Sequence, residues 1–156
     1  MQLSERRQGN TAFRAGQYTE ALDRYERARS IVELVRGLSR ADQAEVDVNR
    51  VIVLCNTAAV HLATKSFGAA AEICTKALEL DPGCVKALAR RCKAHIGRHE
   101  YGLAAEDLAK LKEMGPAAVE QAADIAVLLK QAQAADRKAE AKTFGNMFDR
   151  NKAQEA

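Results

Sequence analysis

Tryptophan is absent from this chain, and aromatic residues occupy only 4% of its 156 positions. Alanine and leucine must therefore carry most of the 47% apolar fraction, which favours closely packed helices over a sheet. Only two prolines and nine glycines are present, so there is little room for long irregular loops. No apolar run approaches the roughly 18 residues of a membrane span, and the first residues do not read as a signal peptide. Charge of one sign is also scarce: 24 Lys and Arg stand against 21 Asp and Glu, and a net charge of +3 is too mild to argue for nucleic acid. Cys55, Cys74, Cys84 and Cys92 show no CxxC spacing, so the expectation is reduced, inert thiols in or near a core, in the cytoplasm or nucleus, and no zinc site. The chain has no GxSxG, no P-loop and no paired-carboxylate site, and it is read as a non-catalytic domain without a cofactor.

What the chain does have is a period. Pro82 and Pro116 stand 34 residues apart. With Val51 as position 1 of a unit, Ala58 falls at 8, Leu62 at 12, Phe67 at 17, Ala70 at 20, Ala77 at 27 and Pro82 at 32. With Val85 as position 1, Ile96 falls at 12, Tyr101 at 17, Ala104 at 20 and Pro116 at 32. Small residues at fixed offsets let two helices approach, and larger ones fill the gap between them. The period and offsets resemble the tetratricopeptide repeat, a helix–turn–helix unit.

An earlier unit fits when Gly9 takes position 8, which puts Phe13 at 12, Tyr18 at 17, Ala21 at 20, Tyr25 at 24 and Ala28 at 27. The next unit then begins 49 residues later instead of 34, and the surplus of 15 falls between Ile31 and Arg50. Apolar residues continue at helical spacing there (Ile31, Val32, Leu34, Val35, Leu38), so two extended helices joined by a short turn near Gly37 are expected. After Pro116, Ile125, Leu128, Leu129, Ala132, Ala135 and Ala139 form one stripe of a long amphipathic helix, which would cap the last unit. The reading is all-α: three repeats (about 2–37, 51–84 and 85–117) in a right-handed superhelical solenoid. A capping helix over about 118–150 completes a domain of residues 1–150, and 151–156 is expected as a frayed tail.

In such a stack the first helix of each repeat lines the concave side, with positions 2, 5, 6 and 9 facing the groove. Those slots hold Arg6 and Asn10, Asn56, and Lys86 and Arg90. Members of each pair are four apart and share a helical face. Three cations and two amides, with no acid among them, suit a pair of carboxylates such as a terminal carboxylate plus an Asp side chain. The stretch Arg6-Arg7-Gln8-Gly9-Asn10, with Phe13, Asn56 and Lys86-Ala87-Leu88-Ala89-Arg90, resembles the carboxylate clamp of co-chaperone tetratricopeptide domains. The extended first connection and Lys142-Thr143-Phe144-Gly145-Asn146-Met147-Phe148 are similar to the C-terminal region of large immunophilins, FKBP-type or cyclophilin-type. The resemblance implies binding to the C-terminal Glu-Glu-Val-Asp-type tail of the 90-kDa heat-shock chaperone, or of the 70-kDa one, by a piece of an adaptor whose prolyl isomerase domain lies elsewhere.

Two departures stand out. Arg6 occupies a place where the family usually has Lys, which keeps the charge but changes the shape of the donor. Gly145 stands where Ala is common and should loosen the last helix by about 1 kcal/mol. Lys93 is a secondary groove candidate, and Phe13 and Ala59 could line a small apolar pocket. His95 and His99 are one turn apart, but no carboxylate or third ligand is expected beside them, and His61 is read the same way. The basic 130–152 segment has the character of a calmodulin-binding helix, although capping is the simpler role. The rival reading is a repeat scaffold that binds a different protein segment in the same groove.

Overall fold

The computed structural model describes residues 2–34 and 39–154, and the side chains through Gly145 apart from Arg40 and Ala41. Seven α-helices follow in order among them: α1 (Gln2–Arg14), α2 (Tyr18–Glu33), α3 (Arg40–Ala63), α4 (Phe67–Leu80), α5 (Val85–Gly97), α6 (Tyr101–Glu113) and α7 (Pro116–Gln154). Three hairpins, α1–α2, α3–α4 and α5–α6, are closed by one device. The N–H groups of Gly16, Lys65 and His99 reach the carbonyls of Phe13, Leu62 and Ile96, and those of Gln17, Ser66 and Glu100 reach Ala12, His61 and His95. These are paired C-terminal caps that require a left-handed residue. Gly16 supplies φ +74°, whereas Lys65 and His99 are held at φ 57° and 61° at a cost of about 1–2 kcal/mol each. An aromatic residue, Tyr18, Phe67 or Tyr101, then opens the second helix of each hairpin.

Ala21, Ala28, Ala58, Ala70, Ala77 and Ala104 have no exposed surface, which is how helices with so few rings pack tightly. Two glycines allow a ring to lie against a backbone. A Cβ on Gly9 would stand 2.6 Å from the Tyr25 ring, and one on Gly97 would stand 2.6 Å from the Phe67 ring. Consecutive helices pack in sequence, and α1, α3 and α5 also touch across the hairpins to form the inner layer.

The surplus between the first and second units lengthens the helices on both sides. Ser39 caps α3 by accepting the Asp42 N–H at 3.3 Å. Most of the expected turn near Gly37, at 35–38, lies outside the described residues. One expectation needs correction: the 22-residue stretch Asp42–Ala63 is long and apolar enough to cross a membrane by length and composition. In this fold Val51, Val53, Cys55, Ala58 and Val60 of that stretch are buried in the helical core, while Val48 and Ile52 are exposed.

The α7 stripe is also shifted from the expected one. Ala118, Ala122, Ile125 and Leu129 are buried against α5 and α6 and Ala132 is partly covered, while Leu128 is 40% exposed and Ala135 and Ala139 face solvent. The buried set follows steps of four, three and four residues, so Leu128 falls one residue off the seam. The helix continues through Gly145 to Gln154, which places the first four residues of the expected tail in the helix.

The outer side of α5 holds a closed polar network. Arg91 donates to both carboxylate oxygens of Asp107 at 2.8 and 2.7 Å and to Thr75 at 3.2 Å. Asp107 is only 3% exposed, so its charge depends on that pairing. His95 Nδ1 lies 2.7 Å from Glu100, and His99 Nδ1 lies 2.6 Å from Asp136, which also accepts from the Tyr101 hydroxyl. The expectation that no carboxylate stands by these histidines is therefore overturned: the hairpin turn brings Glu100, five residues on from His95, and α7 brings Asp136 from distant sequence. Even so, no group of three or more potential metal ligands forms among the described residues.

Candidate functional site

On α1, Asn10 and Arg14 follow Arg6 at steps of four and share its face. Asn56 and Ala59 lie on one face of α3, and Lys86, Arg90 and Lys93 on one face of α5. α3 touches both α1 and α5, so side chains of the three helices can meet. Asn10, Phe13, Arg14, Tyr25, Asn56, Ala59 and Arg90 line an open cavity of about 240 Å³.

The cavity floor is a short hydrogen-bonded chain. The Tyr25 hydroxyl donates to Asn10 Oδ1 at 2.7 Å, and Asn56 Nδ2 donates to the same oxygen at 3.0 Å. Both lone pairs of that oxygen are used, so the Asn10 amide is oriented with its NH₂ available as a donor. Arg90 is held by donating from Nη1 to the Cys55 carbonyl at 2.7 Å, its hydrogen bond among the described residues. Its other N–H groups are left for a ligand. Burial is the main influence that pushes the Tyr25 hydroxyl pKa up, and Arg90 and Arg14, which share the cavity wall with it, act in the opposite sense. The space is lined by amide and guanidinium donors with no carboxylate in its wall, a donor chemistry complementary to an anion.

The sequence-derived set divides here. Asn10, Asn56 and Arg90 come together in the cavity wall, with Phe13 and Ala59 as its apolar part. Phe13 also packs on Tyr18 at a ring separation of 5.8 Å. Arg6 is half-buried one turn before Asn10 and donates weakly to Asn49 at 3.4 Å. Lys86 and Lys93 are exposed on α5 outside the cavity wall. Two wall residues, Arg14 and Tyr25, were missed. The step of four from Asn10 was a signal for Arg14. Tyr25 was read only as repeat core, and nothing local predicts that its hydroxyl reaches back 15 residues to Asn10.

No family model matches the chain. It is 36% identical over 80 residues to mouse peptidyl-prolyl cis-trans isomerase FKBP4, a match covering 51% of this chain and 18% of that protein. The match thus spans under a fifth of the length of the curated relative. Among solved structures, the TPR2B domain of yeast Sti1, in a complex with pHsp70, superposes with a TM-score of 0.64 at 26% identity over 85% of this chain and 95% of that one. The second TPR domain of human RPAP3, in complex with the HSP70 peptide SGPTIEEVD, gives a TM-score of 0.59 at 25% identity over 79% and 92%. With the period, the hairpin caps and the small-residue seams already in place, these likenesses identify the chain: it is a tetratricopeptide-repeat domain.

Proposed function

We propose that this domain is the docking module of a larger co-chaperone and grips the C-terminal aspartate of a Glu-Glu-Val-Asp-type chaperone tail. The observation that carries this reading is the convergence of Asn10, Asn56 and Arg90, from three helices, on one carboxylate-free cavity. One carboxylate of the terminal aspartate would take the Asn10 and Asn56 donors with Arg6 nearby, and the other would take Arg90 and Lys86. Phe13 and Ala59 offer an apolar wall to the preceding valine. Lys93 stands along the same α5 face for an upstream glutamate. The peptides named with the Sti1 and RPAP3 domains belong to the 70-kDa chaperone, and that tail and the Met-Glu-Glu-Val-Asp tail of the 90-kDa chaperone share the terminal chemistry. The match to FKBP4 supports an FKBP-type parent, with any isomerase activity lying in sequence beyond this chain. Such an adaptor would work in the cytoplasm or nucleus, where the chaperones are.

The test is a fluorescence titration with a labelled Met-Glu-Glu-Val-Asp peptide and its C-terminally amidated form. The free acid binds and weakens as salt rises, because partly exposed ion pairs anchor it. Equal binding of the amidated form would replace the clamp with the reading of a scaffold for internal segments.

A further inference from the structure

We propose that Cys55 and Cys84 form a dithiol oxidation site, converted by peroxide into an intramolecular disulfide that ties α3 to the start of α5. Their spacing of 29 residues carries no sequence signature, yet the two sulfurs stand 3.6 Å apart. A disulfide bond is about 2.0 Å long, so the sulfurs must close by about 1.5 Å. Cys84 can supply this movement. It precedes α5 as the N-cap residue, with extended backbone, and its side chain makes no capping hydrogen bond.

Access separates the two sulfurs. Cys84 is half-buried and lines a cavity of about 490 Å³ bounded by Asp47, Val48, Ile52, Leu80 and Asp81. Peroxide reaches it there. Cys55 is 3% exposed and lies behind it. The other two thiols are out of reach: Cys74 and Cys92 have no exposed surface, and burial pushes both up to about 12, far from the reactive thiolate form.

The chemistry balances with peroxide as the two-electron oxidant. The Cys84 sulfur attacks one peroxide oxygen as its thiol proton is given up, the O–O bond breaks, and the sulfur becomes a sulfenic acid while the second oxygen takes that proton and leaves as water. Cys55 Sγ then attacks the Cys84 sulfur. The S–O bond breaks as the Cys55 proton passes to the departing hydroxyl, giving a second water and the S–S bond. Burial, with Cys84 second, pushes the Cys55 thiol up to about 12, so it does not meet the oxidant itself, and its resolving role rests on standing 3.6 Å from the Cys84 sulfur.

The bridge would act on the groove. Asn56 follows Cys55, whose carbonyl holds Arg90, and Lys86 lies two residues beyond Cys84. Crosslinking therefore fixes the spacing of the two helices that present these donors. Thiol counting reads the bridge without any ligand, so its failure is separate from failure of the chaperone-tail reading.

The experiment treats the whole chain with a small excess of hydrogen peroxide, then alkylates the unfolded product and maps it by mass spectrometry. Reactive thiols fall from four to two, the fragments containing Cys55 and Cys84 are joined, and dithiothreitol restores all four. Tm rises by roughly 5–10 °C on bridging, because a closed loop restricts the unfolded chain. Cys84→Ser, which keeps a good N-cap residue, retains its three thiols through the same treatment with no change in Tm. Persistence of four thiols, oxidation of Cys84 with Cys55 left free, or a bridge between two chains would each overturn the proposal.

Discussion

Arg90 and Arg91 are adjacent in sequence but turn to different neighbours in the fold, and α5 is best understood by comparing the two sides they occupy. On the back, Arg91 gives both arms of its fork to a buried aspartate and a third bond to Thr75. That charge is spent inside the protein. On the groove side, Arg90 gives one bond to a backbone carbonyl, which fixes its position without neutralising its charge. A guanidinium paired with a carboxylate stabilises the fold, whereas one steadied by a neutral acceptor still attracts an anion. The first pair of predictions separates these roles. Asp107→Ala leaves Arg91 partly buried without its counter-charge and costs about 3 kcal/mol, read as a lower urea midpoint, while the folded fraction binds peptide normally. Arg90→Ala keeps stability within about 1 kcal/mol but weakens binding of the Met-Glu-Glu-Val-Asp peptide about 30-fold or more, the worth of a charged hydrogen bond at a partly desolvated site. If the two variants show the same pattern, the division of α5 into a structural back and a binding face is wrong.

The two tight glycines sharpen the comparison at a smaller scale. Gly9→Ala and Gly97→Ala each push a methyl group to 2.6 Å from an aromatic ring, so each should destabilise by about 1–3 kcal/mol. Their effects on the groove should differ. Gly9 lies under Tyr25, whose displacement carries the hydroxyl away from Asn10, and peptide affinity falls along with stability. Gly97 lies under Phe67, away from the cavity wall, and affinity holds. Tyr25→Phe isolates the hydroxyl: it leaves the ring packed, frees one lone pair of Asn10 Oδ1, and should weaken binding about 3- to 10-fold with little loss of Tm. Unchanged affinity in Tyr25→Phe would show that Asn56 alone orients the Asn10 amide.

The architecture was legible because packing of small residues leaves a trace at fixed offsets. Ala58, Ala70, Ala77 and Ala104, which set the period, are all without exposed surface, and Phe67 and Tyr101 open the second helices of their hairpins. The site was less legible because repeat position describes where a Cα lies and not where a long side chain ends. Asn10 and Asn56 are short, and their tips follow from backbone placement. Lys86 and Lys93 can swing through solvent, and the structure leaves them outside the cavity wall. Tyr25 meets Asn10 and Cys84 meets Cys55 across 15 and 29 residues, contacts that no helical period encodes. The α7 stripe failed for another reason. Alanine fits a seam or a solvent face equally well, so Ala135 and Ala139 gave no phase information to separate Leu128 from Leu129.

The smallest effect concerns the far end of the α5 back, where Asp136 of α7 meets the α5–α6 turn. The Tyr101 hydroxyl first, and His99 second, hold the Asp136 carboxyl below its usual 3.8. The same bond, helped by burial, pushes Tyr101 up to about 12 from an ordinary 10.0. The signs follow by linkage. A carboxyl with a lowered folded pKa stabilises fully above 3.8 and loses that contribution as pH falls through the lowered value. A phenol with a raised folded pKa stabilises fully below 10.0 and loses it as pH rises through about 12. The latch should therefore hold α7 across the whole neutral range and let go at both extremes. In Asp136→Asn the Tyr101 titration moves back toward 10, and the stability difference from wild type, present at neutral pH, closes at both ends of the scale. Because the latch lies on the side of α5 that is already closed, peptide affinity at neutral pH stays as it was. A fall in affinity would instead mean that α7 docking is transmitted through α5 to Arg90, and that the two sides of the helix are not independent.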